Sequence, residues 1–275
     1  MRLSSNPVIV IKFGGEVAES ESGLSNLMAS VSKLYHDGNE IILVHGGGPL
    51  ASKISTRLNL TPSKVGGRRV TCSETLEVMK MTLPGIINSN VLAILKSRKL
   101  PGVAVSGISV VEAVKRPPKV VSGSDGAVVD FGFVGDVLGV DPTYFGHLLE
   151  HRYIPVVSPL CSDSDGVMLN INADTISVQV ARAVNAKKLV LVTGIGGVFG
   201  DLDDKSSKIT TLSVSSAKEK ILDGTIQGGM IPKLEEGFKL LGGDLDSFHI
   251  VGVDSPESIL REIKEPGSVG TAVLK

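Results

Sequence analysis

Runs of β-branched residues in this chain repeatedly stop at glycine, and a helical period starts just afterwards. Val8–Phe13 runs into Gly14-Gly15, residues 40–44 run into His45-Gly46-Gly47-Gly48-Pro49, and residues 189–193 run into Gly194-Ile195-Gly196-Gly197. A strand ending in glycine can turn sharply and leave bare peptide N–H groups facing outward, where a following helix adds its positive end. Further strand-like runs fall at 103–106, 154–157 and 249–253, with helical periods at 23–35, 49–58, 73–95, 143–150, 173–184, 213–222 and 231–241. Strand, helix, strand in this rhythm predicts βαβ units in an α/β fold, a mainly parallel sheet, and ligands outside the carboxyl ends of its strands. Residues 115–134 break the rhythm with Pro117-Pro118, Gly123 and Gly126, and are read as hairpins inserted at the sheet's edge as a lid.

With 275 residues the chain can form one large domain or two lobes, and a boundary is placed near Asn185. Lys plus Arg is 28 against 29 Asp plus Glu, a balance that argues against nucleic acid or a membrane surface as the main partner. The two cysteines, Cys72 and Cys161, make no disulfide framework and are expected to be half-buried in a reducing, cytoplasmic compartment. The apolar start is too short for a signal peptide, and no run of about 18 apolar residues is seen, so no membrane span is expected.

Each motif carries two readings. Lys12-Phe13-Gly14-Gly15 is a phosphate site or a plain strand end, and it lacks Walker A spacing. Gly46-Gly47-Gly48-Pro49 favours anion binding, because a plain tight turn rarely needs three glycines; His45 orients that loop rather than acting as a base. Arg68-Arg69 after Gly66-Gly67 suits carboxylate recognition or is a solvated basic loop. Asn170 and Asn172 alternate onto one face ahead of Asp174, as substrate anchors or as a helix cap. The junctions 191–198 and 228–233 are ordinary βα turns or, together, the wall of a nucleotide site.

Taken jointly, IKFGG, VHGGGP, GGRRVT, FVGDV, NINADT, LVTGIGGV and GGMIPK resemble the amino acid kinase family, in the family's order and over nearly the whole chain. HGGGP with GGxRVT and NxNAD points within it to the subgroup that phosphorylates N-acetyl-L-glutamate, rather than to the carbamate, aspartate, glutamate 5- or uridylate kinases. The resemblance implies an open, mainly parallel eight-stranded αβα sandwich, with residues 1–185 holding the amino acid and dimerising and 186–275 holding ATP. It implies transfer of the γ-phosphoryl group of ATP to the side-chain carboxylate of N-acetyl-L-glutamate, with Mg²⁺ carried by the nucleotide. Lys12 and Lys233 would flank the migrating phosphoryl group, with Asp174 holding both. Gly47, Gly48, Arg69, Asn170 and Asn172 would bind the acceptor, and Gly14, Gly15, Thr193, Gly194, Gly197, Gly229 and Met230 the nucleotide.

Two departures stand out. Ser106-Gly107 runs into Ile108-Ser109-Val110 where the family has Asp-Gly, and Gly194 stands where the family commonly has Asp, so a nucleotide-loop contact is expected to be missing. Only residues 1–7 precede the first strand, too few for the N-terminal helix of arginine-inhibited hexamers, so a homodimer insensitive to arginine is expected. The rivals are a kinase for carrier-protein-bound aminoadipate or glutamate, which usually alters the GGxRVT stretch, and a catalytically silent amino-acid sensor.

Overall fold

The computed structural model describes residues 6–121, 123–241, 245 and 247–275; residues 1–5, part of the segment expected to be too short for a leading helix, lie outside them. Its centre is an eight-stranded sheet. From one edge the strands are Thr211–Ser213, Thr271–Leu274, Ser247–Val251, Lys188–Val192, Val8–Phe13, Glu40–His45, Ile154–Ser158 and Gly102–Ser106. All neighbours run parallel except Ser247–Val251 and Thr271–Leu274, as the sequence predicts for a mainly parallel sheet. The strand Thr271–Leu274 and the helix Ser258–Lys264 escape the sequence-based assignment.

The central strands are apolar at almost every position because both faces are covered. Val10, Ile42, Val44, Leu189 and Leu191 face one helical layer, where Phe145, Ile176 and Leu234 pack. Ile9, Ile11, Phe13, Ile41, Leu43 and Val190 face the other, against Leu27, Val31 and Leu95. Strand alternation therefore puts Lys12 on the face of Val10, beneath the helices Ala173–Ala183 and Met230–Phe238. Phe13 is in register with both His45 and Val192, so three glycine junctions leave the sheet together at the carboxyl ends of its central strands.

The Ser73–Ser97 helix is 25 residues long and passes a length-and-composition test for a membrane span, although Glu74, Glu77, Lys80 and Lys96 interrupt it. Its Leu76, Met79, Leu83, Ile87, Val91 and Leu95 are instead buried against the sheet. Residues Met81–Ile87 form a π-helical turn around Pro84, whose missing N–H a regular α-helical ladder would register as a lost bond.

The inserted hairpins are not added to the edge of the main sheet. Met168–Asn170, Leu160–Ser162, Val111–Lys115 and Gly135–Val140 make a separate four-stranded sheet, and Lys119–Val120 pairs with Val128–Val129 as a small hairpin. Gly107 links the two sheets, and a Cβ there would sit 2.6 Å from the Leu160 carbonyl oxygen, so the chain passes with no room for a side chain. Near residue 185 the helix Ala173–Ala183 ends, and Asn185 turns the chain with φ 50°. The sheet nevertheless continues across that point, since Lys188–Val192 pairs with Val8–Phe13. The cysteines are not alike: Cys72 is exposed, and Cys161 is buried, which pushes its thiol up to about 12.

Candidate active site

Asp174 sits in the first turn of the helix Ala173–Ala183, whose cap is the Asn172 side chain accepting from the Asp174 N–H at 2.9 Å. The helix start fixes the carboxylate over the end of the Val8–Phe13 strand. There Lys12 Nζ lies 2.7 Å from its Oδ1 as an ion pair. Lys233, in the first turns of Met230–Phe238, donates to Oδ2 at 2.9 Å. Lys12 and Asp174 are 5% and 4% exposed, so this charge cluster is closed to bulk water on that side. Burial alone would raise the Asp174 pKa, but the two ammonium groups outweigh it and hold the carboxylate below its usual value. Burial lowers Lys12 from the ordinary lysine value, with Lys233 adding to the effect and Asp174 opposing it.

Both lysines open onto a cleft of about 820 Å³. Every residue expected at the nucleotide lines it: Gly14, Gly15, Thr193, Gly194, Gly197, Gly229 and Met230. At Gly14 and Gly229 a Cβ would meet nothing within 4 Å, so bare backbone faces open space there. Two ammonium groups at one end, glycine backbone along the walls and Ile195, Phe199 and Ile226 among the apolar lining suit a nucleotide polyphosphate. Thr193 also fastens its own turn, its hydroxyl accepting from the Gly196 N–H at 3.0 Å.

The acceptor residues form a second group that does not line this cleft. Arg69 Nη2 donates to the Gly48 carbonyl at 2.9 Å and to Ser52 Oγ at 2.6 Å, while Nη1 is buried without a partner. Burial lowers the Arg69 pKa from its ordinary value. Asn170 Nδ2 donates to Thr71 Oγ1 at 3.2 Å, joining the NINADT and GGRRVT stretches. The Asn172 amide oxygen serves as the helix cap, the bland reading of that motif. The two groups meet at the glycines, because a Cβ on Gly15 would lie 2.7 Å from Pro49 and 3.1 Å from the Gly47 Cα.

His45 is fully buried and its pKa is lowered to about 4, so it stays neutral and enclosed.

A side chain at position 194 would meet Glu16, which also lines the cleft. Glu16 Oε2 lies 2.8 Å from where a Gly194 Cβ would stand, in the cleft. Sequence reasoning passed over Glu16, although its place just after Gly14-Gly15 at a helix start was the available signal. It also passed over Ser52 and Asn88, whose roles depend on contacts far along the chain.

A family model described as the amino acid kinase family matches residues 7–251. The acetylglutamate kinase of Anaeromyxobacter dehalogenans (strain 2CP-C) is 42% identical over 268 residues, covering 96% of this chain and 98% of that one. Among solved structures, smu.665 from Streptococcus mutans UA159 superposes with a TM-score of 0.78 at 26% identity, covering 97% and 98% of the two chains. Carbamate kinase from Giardia lamblia bound to AMP-PNP shares the fold, with a TM-score of 0.68 at 14% identity, covering 98% of this chain and 99% of that one. A family match over residues 7–251, with a relative 42% identical over 96% of the chain's length, makes the chain a member of the amino acid kinase family.

Proposed function

We propose that this chain acts as an acetylglutamate kinase, moving the γ-phosphoryl group of ATP to the side-chain carboxylate of N-acetyl-L-glutamate in arginine and ornithine biosynthesis. The observation that carries this reading is the single buried carboxylate of Asp174 holding Lys12 and Lys233 together at the end of the cleft. A side-chain carboxylate with a pKa of about 4.3 is already ionised at neutral pH, so the acceptor needs no general base. The enclosed, neutral His45 agrees with that requirement. The obstacle is the approach of one anion to another, and the remedy is fixed positive charge and positioning.

ATP supplies the phosphoryl group and brings Mg²⁺ bound mainly by phosphates and water. Lys12 and Lys233 neutralise charge on the oxygens in transit, and Asp174 fixes where both ammonium groups stand. The amides of Gly14 and Gly15 serve the nucleotide, and those of Gly47 and Gly48 the acceptor. Thr193, Gly194, Gly197, Gly229 and Met230 form the nucleotide wall, so residues 186–275 hold most of ATP and residues 1–185 the amino acid. The free Nη1 of Arg69 pairs with the acceptor's α-carboxylate, with Asn170 and Asn172 on its other polar groups. Two unpaired thiols, one of them exposed, suit work in the cytoplasm.

The test is an ATP-dependent hydroxamate assay with N-acetylglutamate, glutamate and aminoadipate. Acyl-hydroxamate from N-acetylglutamate in preference to the other two is expected. A preference for aminoadipate, or no product from any acceptor, overturns the assignment.

We further propose a homodimer. Met81 and Ile86 are 48% and 41% exposed on the outer face of the Ser73–Ser97 helix, and the neighbouring strand Gly102–Ser106 is an open sheet edge. An uncovered apolar face beside an unpaired edge is what a second copy would close. Sedimentation equilibrium is expected to give twice the chain mass, and Met81→Glu with Ile86→Glu the single mass. A wild-type monomer at micromolar concentration refutes it.

A further inference from the structure

Three residues of one helical turn bear on the glycine loop. Asn88 leaves the π-helical turn Met81–Ile87 and is 2% exposed. Its Nδ2 donates to the Val156 carbonyl at 3.0 Å and lies 3.3 Å from His45 Nε2. His45 Nδ1 in turn lies 3.3 Å from the Gly46 carbonyl oxygen. An amide nitrogen only donates and a carbonyl oxygen only accepts, so one tautomer satisfies both contacts: Nε2 bare and Nδ1 protonated. From the same turn, Leu83 and Ile87 fill the space where Gly47 would carry a side chain, Leu83 at 2.6 Å from the position of a Cβ. The i→i+5 pattern of a π turn changes which residues stack on one face, and here it brings 83, 87 and 88 onto the loop together.

We propose that Asn88 and His45 are a positioning pair: touching neither reactant, they set the Gly46 peptide and so the direction in which Gly47 and Gly48 present their amides. The pair rests on the kinase reading above, in which those amides receive the acceptor. Asn88, anchored to Val156 in the neighbouring strand, fixes the imidazole ring and its tautomer. His45 passes that constraint to Gly46. Loss of the pair leaves the chain folded and lets the loop rotate by a fraction of an ångström, which is where positional catalysis is most sensitive.

The experiment uses Asn88→Leu, His45→Leu and the double variant in the hydroxamate assay, with melting temperature measured alongside. Each single variant is expected to lower kcat/KM for the acceptor by roughly 10- to 100-fold, with the KM for ATP within about twofold of wild type. The double variant is expected to be no worse than the poorer single one, because both break the same unit. Val91→Ala, a buried change further along the same helix, is expected to lower the melting temperature while keeping kcat within about twofold. Single variants with wild-type acceptor kinetics, or a double variant whose loss is the product of the two, would overturn the proposal. Should the variants not fold, ¹⁵N NMR of wild-type His45 decides it. A protonated Nδ1 is expected, and a protonated Nε2 refutes the pair. Wild-type protein making no acyl-hydroxamate would instead remove the kinase reading, and the proposal with it, a result distinct from either of these.

Discussion

Replacing Lys12 with methionine is expected to lower kcat by about 10³-fold or more, with a much smaller change in either KM. Methionine keeps most of the side-chain volume and removes only the charge, and Asp174 keeps its bond to Lys233, so the fold survives. Lys233→Met should fall in the same range for the same reason. The two variants should not multiply, since each lysine acts on the same moving charge from a shared anchor. Asp174→Ala is different. It strands two ammonium groups, one of them 5% exposed, and removing one partner of a buried ion pair costs about 3–5 kcal/mol. Its product would therefore be both inactive and markedly less stable in urea.

The acid side follows by sign. Asp174 has a folded pKa below its unfolded one, so it binds protons more readily in the unfolded chain. Its contribution to stability is fully present above the unfolded value of about 3.9, and it is lost as pH falls through the depressed folded value. Urea melts of wild type and Asp174→Asn between neutral and acidic pH should converge as that charge is titrated. Near-wild-type kcat in both lysine variants would refute the assignment of the cluster.

Gly15→Ala is expected to abolish most activity without unfolding the chain. The new methyl group would stand 2.7 Å from the Pro49 ring and 3.1 Å from the Gly47 Cα, and neither a ring nor a backbone atom can turn aside. Overpacking of this kind costs about 1–3 kcal/mol, relieved by moving the two loops apart. Those loops present the amides assigned to ATP and to the acceptor, and a misplacement of about 1 Å costs roughly 10²-fold in rate. Steady-state kinetics should show a loss of roughly 10²-fold in kcat for Gly15→Ala, against little change for Gly38→Ser, a turn glycine with φ 94° and nothing within 4 Å of its Cβ position. Comparable kinetics for the two would show that loop spacing is unimportant.

Much of this was legible before any coordinates. The opening strand coincides with its expectation at Val8–Phe13, and the helix over 173–184 ends one residue earlier, because continuous apolar runs and 3.6-residue periods are local signals. The stretch around the expected insertion at residues 115–134 was harder. Val111–Lys115 and Gly135–Val140 belong to a second sheet, and its short partners Leu160–Ser162 and Met168–Asn170 owe their existence to pairing rather than to an alternating pattern. The π-helical turn was invisible for a similar reason: residues 81–87 read as helix, and the altered ladder follows from Pro84 and the packing around it.

Among site residues, the cleft-lining glycines were readable because a glycine run at a strand end has few other physical uses. Asn172 was ambiguous in the sequence and is a cap in the structure, since one amide oxygen next to a helix start is captured by the nearest bare N–H. Glu16 carries one local mark, its place at a helix start after Gly14-Gly15, but its nearness to Gly194 is set by the fold.

By itself, then, the sequence determined a mainly parallel sheet with glycine junctions at the carboxyl ends of its strands and a cationic residue near the end of one of them. Those properties depend on composition and period over a few neighbouring positions. The family resemblance already implied that Asp174 holds Lys12 and Lys233; only the tertiary structure decided that Asn88 crosses 43 positions to reach His45. It likewise decided that Arg69 spends one nitrogen on the loop beside it. Such meetings are set by how helices seat on the sheet, and a distance of 3 Å between remote residues leaves no trace in local pattern.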